Sequence, residues 1–261
     1  MAKIRTLAPF TTQTRTLSIA SLVQGVAILY SSYERKKISV ISTLSSSRKN
    51  VNGSAAAAYH RQLFSESGQS LLHYLVEERG LSEAVIKAFG LGAVVDPASG
   101  HDQYRGRICI PYLVPNGDVM KLRFRAGPGY EGPAKYMDVK GGSPRMFNTS
   151  ALTMGGQTIH ITEGEVEAMT LTQLGYPTVG IAGTQAWQPH FKRMLDGYSR
   201  IIVTVDNDDG GAGLEFANHI TNEMEDHEVI HVKAPEGHDM NSAFVKFGAE
   251  KIHELLSNTK R

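Results

Sequence analysis

Cysteine is almost missing: among 261 residues there is one, Cys109. One thiol makes neither an internal disulfide nor a cysteine-based zinc site, which excludes a disulfide scaffold and a self-contained zinc ribbon. It also fits a reducing, cytoplasmic compartment. Long apolar runs are missing too. The longest near the start, Leu17 to Tyr30, is interrupted by Ser18, Ser21, Gln24 and Gly25. It falls short of the roughly twenty residues that cross a bilayer, so no membrane span is expected. With Lys3, Arg5 and Arg15 before it, the run reads as a poorly ordered or loosely docked leader, the alternative being a targeting segment. An excess of one charge is also lacking. A net charge of +1 excludes a wholly basic nucleic-acid coat, and 41% hydrophobic residues exclude wholesale disorder.

What is present is an uneven distribution. Residues 1–50 carry eight basic residues and one acid, residues 51–150 eleven and nine, and residues 151–261 eight and sixteen. A mildly basic block beside an acidic one suits an anion-binding part next to a metal-binding part.

Ser45 to Ala58 is rich in Ser, Asn, Gly and Ala and reads as a linker. From Ser70 the periodicity is helical, with Leu71, Leu72, Leu75 and Val76 on one face and Gly80 as the stop. Ser82 is placed to N-cap a second helix bearing Val85, Ile86 and Phe89. That helix lacks polar base-reading residues, so the pair is assigned to packing rather than DNA reading. Residues 104–150 read as strands. Pro115-Asn116-Gly117-Asp118 marks a hairpin, and Val119 to Arg125 alternates, with Lys121, Arg123 and Arg125 on one face and Leu122 and Phe124 on the other. From Thr158 the rhythm becomes strand–helix–strand–helix. Strands are expected at 158–162, 178–182, 200–205 and 228–233, with a last helix at 242–256 broken at Gly248. This is the signature of a parallel sheet covered by helices.

Open parallel sheets bind ligands beyond the carboxyl ends of their strands. Acids stand at three such ends here: Glu163, the pair Asp206 and Asp208, and Asp239. Hard divalent ions take oxygen ligands from one or two carboxylates, completed by water and phosphate, and an Asp-x-Asp suits them. An EF-hand is excluded. Counting from Asp206, the sixth position is Gly211 but the twelfth is Ala217, not glutamate. His160 in an apolar strand and Cys109 between two isoleucines are assigned to the core. Trp187 suits either base stacking or helix packing.

Glu163-Gly164-Glu165-Val166-Glu167-Ala168 after a strand, followed by Val205-Asp206-Asn207-Asp208-Asp209-Gly210, resembles the TOPRIM module of DnaG-type primases, topoisomerases and some nucleases. Arg105-Gly106-Arg107-Ile108-Cys109-Ile110-Pro111, Lys121 to Arg125 and Pro133-Ala134-Lys135-Tyr136 resemble the basic subdomain that precedes it in primases. Tyr74 to Gly92 resembles the helical segment before that subdomain, and Pro235 to Glu250 the C-terminal end. The likeness covers roughly residues 59–256 and is greatest to small phage primases lacking the zinc-binding domain. It implies an α/β fold: a TOPRIM parallel sheet flanked by helices, preceded by a smaller α+β basic subdomain. The implied division is a leader and linker at 1–58, the basal subdomain at 59–150 and the TOPRIM part at 151–261.

By that resemblance Glu163, Asp206, Asp208 and Asp239 match the metal-binding and catalytic acids, with two Mg²⁺ or Mn²⁺ ions implied. Glu167 matches a further acid, and Lys135 a catalytically important lysine. Arg105, Arg107, Lys121 and Arg125 match positions for template or nucleotide phosphate. Asn241 stands where an Asp is common. The implied activity is synthesis of short RNA primers from ribonucleoside triphosphates on single-stranded DNA. A replicative helicase and a separate zinc-bearing polypeptide are the implied partners. The rival classes are a metal-dependent TOPRIM nuclease and a non-enzymatic replisome subunit that binds single-stranded DNA or a helicase.

Overall fold

A computed structural model describes residues 51–259 apart from 131, 133, 141 and 208–210. The leader at 1–50 and the expected ligand Asp208 lie outside the described residues.

The chain builds two four-stranded sheets. Helix α1 (Val51–Leu63) comes first, then α2 (Gln69–His73), which runs on as a π-helical turn at Tyr74–Glu78, and α3 (Glu83–Ala88). The linker expected at Ser45–Ala58 is therefore helical from Val51 onward. Ala55 to Ala58 supply high helix propensity, and Ala55, Ala56, Tyr59 and Leu63 are buried, which outweighs the Ser/Asn/Gly composition. Ser82 caps α3 as expected, its Oγ accepting from Val85 N at 3.3 Å.

Strands β1 (Gly92–Ala93), β2 (Arg107–Leu113), β3 (Val119–Ala126) and β4 (Tyr136–Asp138) form an antiparallel sheet in that order. Alternation sorts β3 by face. Leu122 and Phe124 join Tyr59, Tyr104 and Cys109 in the core under α1, with the Tyr104 and Phe124 rings stacked at 3.8 Å. Lys121, Arg123 and Arg125 point the other way.

The second sheet contains β5 (Thr158–Thr162), β6 (Thr178–Gly180), β7 (Arg200–Val205) and β8 (Glu228–Lys233). It is wholly parallel, in the order β6-β5-β7-β8. Near-continuous apolar strands imply burial on both faces, and both are covered. Helices α5 (Pro189–Leu195) and α6 (Ala212–Glu223) pack Phe191, Phe216 and Ile220 against Ile161, Ile201 and Val203. Helices α4 (Glu165–Gln173) and α7 (Met240–Ser257) cover the other face through Leu171, Met240 and Ile252. The break expected in α7 is present: Gly248 has φ 82°. Trp187 packs edge-on to Phe191 in this core and has no stacking face to offer a base.

The two sheets are not separate globules. One core runs from Leu75, Ile86, Phe89 and Ile108 to Phe147, Val166 and Met169. Phe147 also bridges to Gly180 on β6. The carboxyl edge of the parallel sheet is thereby held against the cationic face of β3. Among the described residues, no helix is long and apolar enough to cross a membrane.

His160 is 4% exposed, and its Nδ1 donates to the Pro177 carbonyl at 3.1 Å. Burial lowers its pKa to about 4. The folded ring stays neutral while the unfolded one gains a proton below about pH 6.5. Stability is therefore expected to fall as pH drops from about 6.5 to about 4. Urea midpoints across that window should fall more steeply for the native chain than for His160→Gln.

Candidate active site

Two of the three acid-bearing loops at the carboxyl edge are tied to each other. Asn207 N donates to the His238 carbonyl at 3.1 Å, Gly237 N to the Asn207 carbonyl at 2.8 Å, and Asn207 Nδ2 to the Ala234 carbonyl at 3.1 Å. The loop after β7 is thus fastened to the loop after β8, which fixes Asp206 relative to Asp239. Asp239 N-caps α7: its Oδ1 accepts from Ser242 N at 2.6 Å, while Ser242 Oγ accepts from Asp239 N at 3.0 Å. Glu163, in the turn after β5, lies against the loop after β6, where a Cβ on Gly183 would stand 3.4 Å from its Oε1.

Two glycines make the crowding possible. A Cβ on Gly164 would fall 2.8 Å from Glu167 Oε1, so a side chain there would push that carboxylate tip from its place over the first turn of α4. A Cβ on Gly213 would fall 2.8 Å from both the backbone N and O of Asp206, so α6 can start this close to β7 only at a glycine.

These acids open onto a cavity of about 270 Å³ that also receives Arg79, Arg123, Arg125, Lys135, Tyr136 and Asn241. The structure therefore brings together Glu163, Glu167, Asp206, Asp239, Lys135 and Arg125 of the residues singled out in the sequence. It places three others elsewhere. Arg105 is exposed and donates to the Val95 carbonyl at 2.7 Å. Lys121 is buried in a 3.0 Å ion pair with Asp138. Arg107 is fully buried, its guanidinium 4.1 Å from the Tyr130 ring centroid and 3.5 Å from the Lys135 carbonyl, which makes it a brace for the segment bearing Lys135.

Three cavity residues escaped the sequence reading. Arg123 Nη1 meets Glu165 Oε1 at 2.8 Å, and the Tyr112 hydroxyl donates to the same oxygen at 2.5 Å. Burial is the largest influence on Arg123 and opposes its charge, but Glu165, Tyr112 and Asp138 together outweigh it and raise the guanidinium pKa. Arg79 is held by its Nε donating to the Tyr74 hydroxyl at 2.7 Å and by Nη1 donating to Asn241 Oδ1 at 3.4 Å. The signal available for Arg79 was its place before Gly80, which reads equally well as a helix stop. Nothing local in the sequence marks the pairing of Arg123 with Glu165, since 42 residues separate them.

Glu165 pairs the charge of Arg123 through Nη1, so the cations without an acid partner are Arg79, Arg125 and Lys135 among the described residues. Arg125 is 4% exposed and its Nε has no hydrogen-bond partner; its guanidinium lies 5.6 Å from the Tyr136 ring and 5.7 Å from that of Tyr74. Lys135 is exposed at the cavity mouth. Facing them, Glu167 is buried and its Oε2 lacks a partner. Burial, and then the charges of Asp206 and Asp239, hold its carboxyl well above the usual range. Carboxylates packed this way repel unless a proton or a cation sits among them. A divalent cation fits this donor set: all the donors are hard oxygens, and one of them is buried and unsatisfied. Among the described residues no three acidic, His or Cys side chains form a ready-made metal cage. Magnesium does not require one, since one or two carboxylates with waters and substrate phosphates suffice.

Residues 160–244 match the Toprim-like family. Gene 57 protein of Mycobacterium phage D29 is 37% identical over 157 residues, spanning 59% of this chain and 99% of that protein. The RNA polymerase domain of Mycobacterium tuberculosis primase DnaG superposes with a TM-score of 0.66 at 20% identity, covering 81% of this chain and 84% of that one. A DnaG primase catalytic domain bound to single-stranded DNA superposes with a TM-score of 0.63 at 17% identity, covering 87% and 82%. Fold and rim together define a Toprim-like protein with the architecture of a DnaG primase catalytic core. The chain belongs to the Toprim-like family, as a relative of the phage Gene 57 protein.

The buried Arg123–Glu165 pair generates a stability prediction. Glu165→Ala leaves a desolvated guanidinium without its carboxylate, and breaking such pairs costs about 3–5 kcal/mol. The urea midpoint should fall accordingly. A loss below about 1 kcal/mol would show that Arg123 finds water or Asp138 instead.

Proposed function

We propose that the protein is a DNA primase, joining ribonucleoside triphosphates into short RNA primers on single-stranded DNA. The observation that carries this reading is the meeting of opposite charges in one cavity. Glu163, Glu167, Asp206 and Asp239 come from the parallel sheet's edge, and Arg125, Lys135 and Arg79 from the elements before it. A pocket for a triphosphate and its cations needs both. The single-stranded DNA bound to a protein of the same fold supports the template.

Asp206, Asp239 and Glu163 would hold the Mg²⁺ or Mn²⁺ ions, joined by Asp208. Such ions supply charge neutralisation on the triphosphate and lower the pKa of an attacking hydroxyl. The chain's own cations position phosphate. Arg125 and Arg79 present planar guanidinium forks that can grip it bidentately, and Lys135 adds a mobile point charge. Tyr136, its hydroxyl pKa pushed up to about 12 by burial, stays neutral and backs the Arg125 guanidinium with its ring. A helicase and a zinc-bearing polypeptide would act as separate partners.

Labelled ribonucleotide incorporation on single-stranded DNA tests this reading. Asp206→Asn should lower incorporation at least about a hundredfold, the equivalent of a few kcal/mol, with an unchanged circular dichroism spectrum. Lys135→Ala should impair incorporation with little effect on Mn²⁺ affinity. Metal-dependent nicking of DNA without triphosphates, and no incorporation, would point instead to a nuclease.

A further inference from the structure

Between the β2–β3 hairpin and α5 lies an apolar trough of about 480 Å³ that shares no lining residue with the acidic cavity. Leu113, Val114, Met120, Met146, Leu152 and Met194 contribute its walls. Met120 is 41% exposed. The trough runs into a second hollow of about 290 Å³, and Met120 and Arg145 line both. The second hollow adds Lys121 and Lys140. Among the described residues, no Asp or Glu lines either hollow. Lys121 is neutralised by Asp138, but Lys140 and Arg145 are exposed and make no ion pair among the described residues.

We propose that this trough is a docking site for a peptide segment of a partner protein, acidic and rich in aliphatic or aromatic side chains. The apolar half gives such side chains a surface to bury, and the free cations at its end complement acids in the same segment. Three methionines in the walls suit a surface that repacks around its occupant. A single-stranded nucleic acid fits less well, because base binding uses exposed aromatic faces. Of the rings here, Phe191 and Tyr112 are only 1% and 3% exposed, which leaves the imidazole of His190 as the one exposed ring among the described residues of the trough. The chain's own apolar run at 17–30 sits in a segment with eight basic residues and one acid, which the cationic end disfavours.

The test is fluorescence anisotropy of a fluorescein-labelled peptide alternating Asp with Leu and Phe, titrated with the full chain. Binding should saturate and weaken with added salt. It should weaken at least about tenfold in the double variant Lys140→Glu, Arg145→Glu and in Met120→Asp. Arg193→Glu, an exposed cation outside the trough, should bind as the native chain does. Equal binding of a peptide with Lys in place of Asp would overturn the proposal, as would unchanged affinity in both trough variants. Displacement of the peptide by oligothymidylate, lost in the same variants, would reassign the trough to nucleic acid. Sedimentation of the free chain as a dimer that Met120→Asp dissociates would reassign it to self-association. None of these outcomes depends on primer synthesis, so failure here and failure of the primase reading are separable.

Discussion

The contact between Arg123 and Glu165 joins the two halves of the molecule by charge. Arg123 stands on the antiparallel sheet, and Glu165 opens the helix that follows the first parallel strand. Both are largely buried, so their desolvation offsets much of their attraction. The pair alone is no large source of stability. Apolar burial across the shared core, from Leu75 and Ile108 to Val166 and Met169, supplies the free energy that presses the sheets together. What the pair supplies is register. The guanidinium and the Tyr112 hydroxyl converge on one carboxylate oxygen, and a shifted interface would leave one charge buried without its partner. Tyr112 also forms part of the wall of the apolar trough, so one side chain spans the distance from trough to ion pair.

With that register set, charge is partitioned across the cavity. Parallel strands deliver Glu163, Asp206 and Asp239 to one edge because consecutive strands of such a sheet end on the same side. The antiparallel sheet and the helices before it deliver cations. Acids crowd because Gly164 and Gly213 let carboxylate and backbone approach where any side chain would collide. Burial first, and that crowding second, raise the pKa of Glu167. Like charges so close are unfavourable for folding, and sequences keep such arrangements where chemistry needs them.

The parallel half was nearly transparent in the sequence. Strands β5, β7 and β8 begin and end where the sequence pattern puts them; in β7 burial on both faces leaves an almost unbroken apolar run, whereas the edge strand β8 is half-exposed and shows its bounds through its Val and Ile residues. The acids follow from strand ends alone. The first half was less legible, for two physical reasons. Helix α1 is stabilised by packing Ala55, Ala56 and Tyr59 against the sheet, a tertiary effect that local composition does not announce. The basic stripe on β3 looked uniform, yet its members differ completely. Asp138 takes Lys121, Glu165 takes Arg123 at the cavity wall, and Arg125 alone of the three enters the cavity without an acid partner among the described residues. Spacing shows that three cations share a face; only the folded chain shows which acids reach them.

Asn241 carries the argument one step further. A carboxylate there could accept from the Arg79 guanidinium, as the amide oxygen does at 3.4 Å. It could not donate. Asn241 Nδ2 donates to the Arg79 carbonyl at 2.7 Å and to Thr170 Oγ1 at 2.9 Å, and Thr170 has already spent its own proton on the Val166 carbonyl. An ionised Asp would face two acceptors with no hydrogen to share, inside a site only 1% exposed. The amide at this position therefore orients a cation rather than adding another carboxylate to a cavity already crowded with acids.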